Sequence, residues 1–258
     1  MFRIEYINGS YLTDPGRVSA VSTVMPTLFF YRKMVSVIFR ASSRAKHSVY
    51  GNNEWCGSSI DILRALESVG VKIEVTGTDN FTSLDGPCVF ISNHMSTLET
   101  FVLPVIIQPY KDVTFVVKQG LVDYPVFRHV MRSRDPVTVG RSNPRDDLRS
   151  VLEGGTERLK AGRSIIIFPQ TTRMPVFDPD SFNTIGVKLA KKADVPVIPI
   201  ALRTDAWCNG RILKDFGRID PSKRVHIAFG PAMSIQERGV EEHRRTVEFI
   251  KRKLEEWG

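Results

Sequence analysis

Residues 88–107 read CVFISNHMSTLETFVLPVII, and the change of texture inside this stretch decides the fold. Residues 88–92 are a short apolar run without polar alternation, the pattern of a strand covered on both faces. Asn93 and His94 end it with a polar turn. From residue 97 to 107 apolar side chains continue at helical density and length. A strand buried on both faces needs helices on each side, so strand, polar turn and helix in this order are the start of a layered parallel-sheet unit.

Working outward, runs of the same kind at 113–117, 164–168, 195–200 and 225–229 predict further strands. Helical patterns at 125–131, 146–160, 181–192 and 236–257 alternate with them or come after them. The expected fold class is therefore α/β, a mostly parallel sheet flanked by helices, preceded by an N-terminal amphipathic helical pair. Residues 1–70 are expected to form a helical membrane-docking region and residues 71–258 the α/β domain, with no repeat or linker after residue 71.

Ligands of open parallel sheets gather outside the carboxyl ends of the strands, so the residues directly after each strand carry the chemistry. His94 comes after the first, Lys118 after the second and Arg141 after a short apolar run ending at Val139, while Gln170, Thr171, Thr172 and Arg173 come after residue 168. One imidazole and three cations on one edge suit an anionic substrate and a general base.

The chain's 258 residues are 42% apolar and 25% charged, which excludes collagen-like, low-complexity and wholly disordered classes. Lys and Arg number 36 against 28 Asp and Glu, a net charge of +8, and this favours anionic partners: nucleic acid, an acidic lipid surface or a phosphorylated substrate. No nucleic-acid-binding motif accompanies the basic segments, so nucleic acid is not expected. Cys56, Cys88 and Cys208 are far apart, which makes neither a disulfide framework nor a zinc knuckle and points to a reducing, cytoplasm-facing environment. The N-terminus has no pattern of a cleaved secretory signal. Asp178 and Asp180 flank a proline and read as a turn, so no metal site is assigned; His47, His129, His226 and His243 read as structural or exposed.

Residues 17–46 hold Arg17, Arg32, Lys33, Arg40, Arg44 and Lys46 and no acid, with Val21, Val24, Met25, Leu28, Val35, Ile38 and Phe39 at helical spacing. Pro26 is expected to kink or restart the helix. Arg32 and Lys33 break the apolar run well short of the roughly 20 residues that a spanning helix needs. Two readings fit: the helix lies in a membrane interface with its cations on anionic headgroups, or it packs its apolar side on the domain and leaves its cations in water. A second helix is predicted at about 57–69.

Taken together, residues 71–230 resemble the lysophospholipid acyltransferase family. Asn93-His94-Met95-Ser96-Thr97-Leu98-Glu99 is similar to the family's N-H-x-x-x-x-D block, and Gly140-Arg141 stands where its second block ends. Phe168-Pro169-Gln170-Thr171-Thr172-Arg173 resembles F-P-E-G-T-R, and Val195-Pro196-Val197-Ile198-Pro199 resembles V-P-V-x-P. The resemblance implies a glycerolipid acyltransferase-like fold and transfer of a fatty acyl group to the hydroxyl of a lysophospholipid, above all 1-acylglycerol-3-phosphate. The donor is acyl-CoA or acyl-carrier protein, a co-substrate, and no cofactor is required. It further implies a peripheral protein on the cytoplasmic face of a membrane bearing anionic lipid.

In that reading His94 is the base that accepts the acceptor's hydroxyl proton, and Glu99 is the carboxylate that orients it. Lys118, Arg141 and Arg173 hold the phosphate, and Gln170, Thr171 and Thr172 lie where the headgroup is read. Ser96 and Glu99 also match a helix capping box, a second role for the same carboxylate. Three departures stand out: Glu99 replaces the family's Asp, Gln170 its Glu and Thr171 its Gly. The last two keep open a different acceptor or a noncatalytic lipid-binding relative.

Overall fold

The computed structural model describes residues 2–170, 172–210 and 213–258. Its N-terminal part holds β1 (Tyr11–Leu12), α1 (Ala20–Val24), α2 (Pro26–Lys46) and α3 (Asn52–Ser68). Next in the chain are β2 (Ile73–Thr76), α4 (Asp79–Thr82), β3 (Val89–Ser92), α5 (Leu98–Ile107), β4 (Val113–Lys118), α6 (Gln119–Asp123), α7 (Arg128–Ser133) and β5 (Val137–Val139). The chain continues with α8 (Pro144–Lys160), β6 (Ser164–Ile167), α9 (Ile185–Ala193), β7 (Val197–Arg203), β8 (Val225–Phe229) and α10 (Val240–Glu256).

The described strands form one eight-stranded sheet in the order β1-β2-β8-β7-β3-β6-β4-β5. Only β1 with β2 and β7 with β8 pair antiparallel. The block β7-β3-β6-β4-β5 is parallel throughout, so its carboxyl ends share one edge. Alternation along β3 and β6 explains their continuous apolar sequence. Phe90 and Ile166 face a core shared with α2, α3 and α5, whereas Val89, Ile91, Ile165 and Ile167 face a second core beneath α8, α9 and α10. Each such side chain contributes about 1.5–3 kcal/mol when fully buried. Gly186 in α9 permits the second packing, since a Cβ there would lie 2.7 Å from the Ile91 side chain.

The first core includes Phe30, Met34, Val37, Trp55, Leu63 and Leu66, so the helices before residue 70 cover a face of the sheet. Phe30 meets Trp207 at 4.8 Å between ring centroids, and Trp207 stacks on Phe101 of α5 at 5.7 Å. The opposite side of α2 leaves Leu28, Val35 and Phe39 exposed beside the exposed Arg32. The face that packs in the core is Phe30, Met34, Val37, Ile38 and Ala41, whereas of the apolar residues read from the sequence Val24, Met25, Leu28, Val35 and Phe39 are exposed, against the second reading, and among the described side chains only Ile38 packs. No described helix is long and apolar enough to cross a membrane.

Element boundaries differ from the predicted ones for local reasons. Met25 precedes Pro26 and leaves helical geometry at φ −135° and ψ 68°, separating α1 from α2. Tyr124, before Pro125, is likewise extended and ends the unpredicted α6 at Asp123, and the helix predicted at 125–131 begins later, as α7 at Arg128. Gly239 in the left-handed region begins α10, later than predicted. Asp178 accepts from the Asp180 N–H at 3.0 Å and caps a short 3-10 turn. The predicted strand at 195–200 runs instead as Val197–Arg203.

Candidate active site

β3 and β6 are adjacent, and the loops leaving their carboxyl ends interlock. Asn93 is buried and extends the sheet: its Nδ2 donates to Leu202 O at 2.8 Å and its Oδ1 accepts from the Leu202 N–H at 2.9 Å. This fixes the backbone from which His94 projects. Met174 N–H donates to His94 O at 2.9 Å, joining the loop after β3 to the loop after β6. Phe168 stacks on the His94 ring at 4.3 Å between centroids and an 18° interplanar angle. The imidazole is thereby held on one flat side while 16% of its side chain remains exposed.

His94 Nδ1 and Glu99 Oε1 are 2.9 Å apart. Glu99 is wholly buried, and donors surround it. Oε1 also accepts from the Met95 N–H at 2.7 Å and the Ser96 N–H at 2.9 Å. Oε2 lies 2.7 Å from Thr204 Oγ1 and 3.0 Å from Ser96 Oγ. Burial alone raises a carboxyl's pKa, but the hydrogen bond and charge of His94, with the hydrogen bonds of Thr204 and the Ser96 backbone, outweigh it and hold Glu99 below its ordinary range. An ionised Glu99 requires Nδ1 to carry a proton, which leaves Nε2 as the basic nitrogen.

Half of the capping box is present in the same geometry, although α5 begins one residue later than that reading places it, with Thr97 as its N-cap. Ser96 Oγ accepts from the Leu98 N–H at 3.1 Å while Glu99 reaches back to the Ser96 N–H. Glu99 closes the first turn of α5 and meets His94 at once, because the loop folds back over the helix N-terminus. The extra methylene of Glu is accommodated here: its second oxygen extends to Thr204, just beyond β7.

Gln170 is buried, and its Oε1 accepts from the His94 N–H at 2.9 Å. Only the amide oxygen can accept, so the orientation is defined, and Nε2 is left without a hydrogen-bond partner among the described residues. A Glu here would offer a second acceptor where this chain offers a donor. Arg173 is mostly buried; its guanidinium donates to Thr97 Oγ1 and pairs with Asp215 at 2.7 Å. Thr172 is exposed, and Thr171 lies outside the described residues.

The structure joins His94, Glu99 and Gln170 directly and brings Arg173 to Thr97 in the same loop. Lys118 and Arg141 are exposed at the ends of β4 and β5. At about 4.8 Å per strand these lie about 10 and 14 Å along the edge from β3. Gly140 and Arg141 donate backbone N–H groups to Asp147 at 2.9 and 3.0 Å, and Arg141 is left-handed at φ 58°. Thr204 and Asp215 were not legible as site residues. Thr204 lies just past a strand that runs three residues beyond its predicted end, and Asp215 belongs to the long connection between β7 and β8. Among the described residues no cluster of His, Cys, Asp and Glu could hold a metal. Burial pushes the Cys56 and Cys88 thiols up to about 12, so neither is a thiolate at neutral pH.

The acyltransferase family pattern matches residues 72–203, the span containing β3, β4, β5, β6 and the loops just described. The 1-acyl-sn-glycerol-3-phosphate acyltransferase of Pseudomonas aeruginosa is 30% identical over 240 residues, 93% of this chain and 85% of that protein. A chloroplastic enzyme of the same name from Brassica napus is 34% identical over 131 residues, 51% of this chain and 37% of that one. The solved 1-acyl-sn-glycerophosphate acyltransferase PlsC from Thermotoga maritima matches the fold with a TM-score of 0.66 at 21% identity, covering 92% of this chain and 96% of that one. The match therefore spans more than the loops after β3 and β6 and includes the helices that cover the sheet: the chain belongs to the acyltransferase family and is an acyltransferase.

Proposed function

We propose that the protein transfers a fatty acyl group from the thioester of acyl-CoA or acyl-carrier protein to the free hydroxyl of 1-acylglycerol-3-phosphate. The observation that carries this reading is the His94–Glu99 pair at 2.9 Å, with an ionised carboxylate on Nδ1 and a partly exposed ring. His94 Nε2 takes the hydroxyl proton as the acceptor oxygen bonds to the thioester carbon, and Glu99 stabilises the resulting imidazolium. Collapse of the tetrahedral intermediate breaks the C–S bond, and the proton passes from Nε2 to the departing sulfur. No cofactor enters these steps.

Arg173 receives the acceptor phosphate in this reading, with Lys118 and Arg141 further along the edge for the charged donor. By their place in the chain after β6, Gln170, Thr171 and Thr172 are assigned to reading the headgroup. The unpartnered amide donor at Gln170 and the carboxylate of Asp215 on Arg173 favour a second reading, an acceptor other than 1-acylglycerol-3-phosphate. Assay of the purified protein on lysophosphatidic acid, glycerol-3-phosphate and amino-containing lysolipids separates the two. The first reading expects the highest kcat/KM on lysophosphatidic acid, and a clear preference for another acceptor sinks it. His94→Ala should abolish transfer to every acceptor; unchanged transfer excludes His94 as the base.

The protein docks on the cytoplasmic face of a membrane through the exposed side of α2, with Leu28, Val35 and Phe39 in the interface and Arg32 and Arg44 on anionic headgroups. At about 1 kcal/mol per basic residue, reversing both arginines to Glu should weaken cosedimentation with phosphatidylserine vesicles at least tenfold. Undiminished binding overturns this surface.

A further inference from the structure

The Glu99 carboxylate is held from two sides that differ in origin. Every group on Oε1 belongs to the loop that carries His94 itself: the ring of His94 and the N–H groups of Met95 and Ser96. Such a local set moves with the loop. The hydroxyl of Thr204, in contrast, reaches Oε2 at 2.7 Å from just beyond the central strand β7, a separation of 105 residues. Thr204 is fully buried. Its backbone carbonyl accepts from Ser96 Oγ at 3.0 Å, so this one residue after β7 meets both the carboxylate and the serine beside it.

Hydrogen-bond accounting gives this contact a direction. Ser96 Oγ already accepts from the Leu98 N–H and sits 3.0 Å from Thr204 O, Thr204 Oγ1 and Glu99 Oε2, so its one proton has acceptors without the Thr204 hydroxyl having to give up its own. The Thr204 hydroxyl proton has a close acceptor in the anionic Glu99 Oε2, a charge-assisted bond of the stronger kind. Glu has one more rotatable bond than Asp, so its carboxylate needs a second anchor to define its plane against His94. Thr204 supplies that anchor from the rigid sheet.

We infer that Thr204 is a positioning residue for the acyl-transfer centre: its hydroxyl sets the Glu99 carboxylate, and through it the orientation and tautomer of His94. This rests on the reading of His94 and Glu99 as base and orienter.

The test compares Thr204→Val, nearly the same shape without the hydroxyl, and Thr204→Ser, which keeps it, in the full-length protein. Thr204→Val should lower kcat roughly tenfold, a part of the 10²–10⁴ that a positioned base supplies. KM for the acceptor should stay within about twofold, the acidic limb of the kcat pH profile should move, and Thr204→Ser should restore both. In a Glu99→Gln background Thr204→Val should cost little more, because the carboxylate it orients is gone. A folded Thr204→Val enzyme with wild-type kcat and pH profile overturns the inference, as does a full, multiplicative loss in the Glu99→Gln background. If Thr204→Val does not fold, Thr204→Cys, similar in size with a weak donor, carries the same comparison. Loss of activity in His94→Ala and Glu99→Gln with an unaffected Thr204→Val removes Thr204 alone; unchanged activity in His94→Ala removes the base reading beneath it.

Discussion

Two close contacts to a carboxylate stand in the loops after neighbouring strands, and their lengths are nearly the same: His94–Glu99 at 2.9 Å and Arg173–Asp215 at 2.7 Å. Their surroundings are opposite. The Glu99 side chain is wholly inaccessible and hydrogen-bonded on both oxygens, whereas the Asp215 side chain is 62% exposed. Distance alone therefore says little about what a pair does. A carboxylate removed from water and surrounded by donors is a permanent part of the site, because releasing it would strand a buried charge. A carboxylate in water on a guanidinium is exchangeable, since the pair is worth at most about 1 kcal/mol there and is screened by salt. In the proposed reading Asp215 is the replaceable anion on the cation that receives the acceptor phosphate.

The difference is broken most sharply at Glu99. Glu99→Gln should lower kcat by roughly 10²–10⁴ with little change in acceptor KM, measured by steady-state acyl transfer. It should also change acid stability in a defined sense. The folded pKa of Glu99 is depressed, so its contribution to stability is present above the unfolded value of about 4.3 and is lost as pH falls through the folded value. Thermal melts of wild type and Glu99→Gln should therefore differ most above about pH 5, and the gap should shrink progressively as pH falls below the unfolded value of about 4.3. A constant gap over that range argues against an ionised Glu99.

Arg173→Ala comes next, with acceptor KM raised roughly 10–100-fold through loss of a charge-assisted contact and kcat changed much less. An equal fall in kcat at constant KM would assign Arg173 to the transition state instead. The smallest effect is expected at Asp215. Asp215→Asn removes the competing charge and should lower the KM of a phosphorylated acceptor about threefold, the more so at low salt. A raised KM would mean that Asp215 positions Arg173 and does not compete for it.

Much of this site is legible from residue order. His94, Lys118, Arg141, Gln170 and Arg173 all stand directly after apolar runs, and parallel strands send their carboxyl ends to one edge. Glu99 is legible twice, as a cap and as a partner of His94, and both contacts exist because one carboxylate has two oxygens. Distance along that edge is not legible. Strand order sets His94 and Gln170 side by side and Arg141 three strands away, and order depends on which helices cross over which face. Thr204 escaped for a different reason: the predicted strand ends at residue 200, but β7 is flanked by β3 and β8 and continues to Arg203.

The amino-acid sequence by itself determined the layered α/β fold, because continuous apolar strands can be buried only between helices. It also set which polar and charged residues follow each strand and gave α2 cations without a single acid. Tertiary structure alone decided which carboxylates are fixed and which are exchangeable, since that depends on burial and on donors brought from distant segments. It joined Thr204 to Glu99 across the sheet and Asp215 to Arg173 from a connecting loop. It also turned one face of α2 into the core and left the other at the surface, where its cations and apolar side chains stand together.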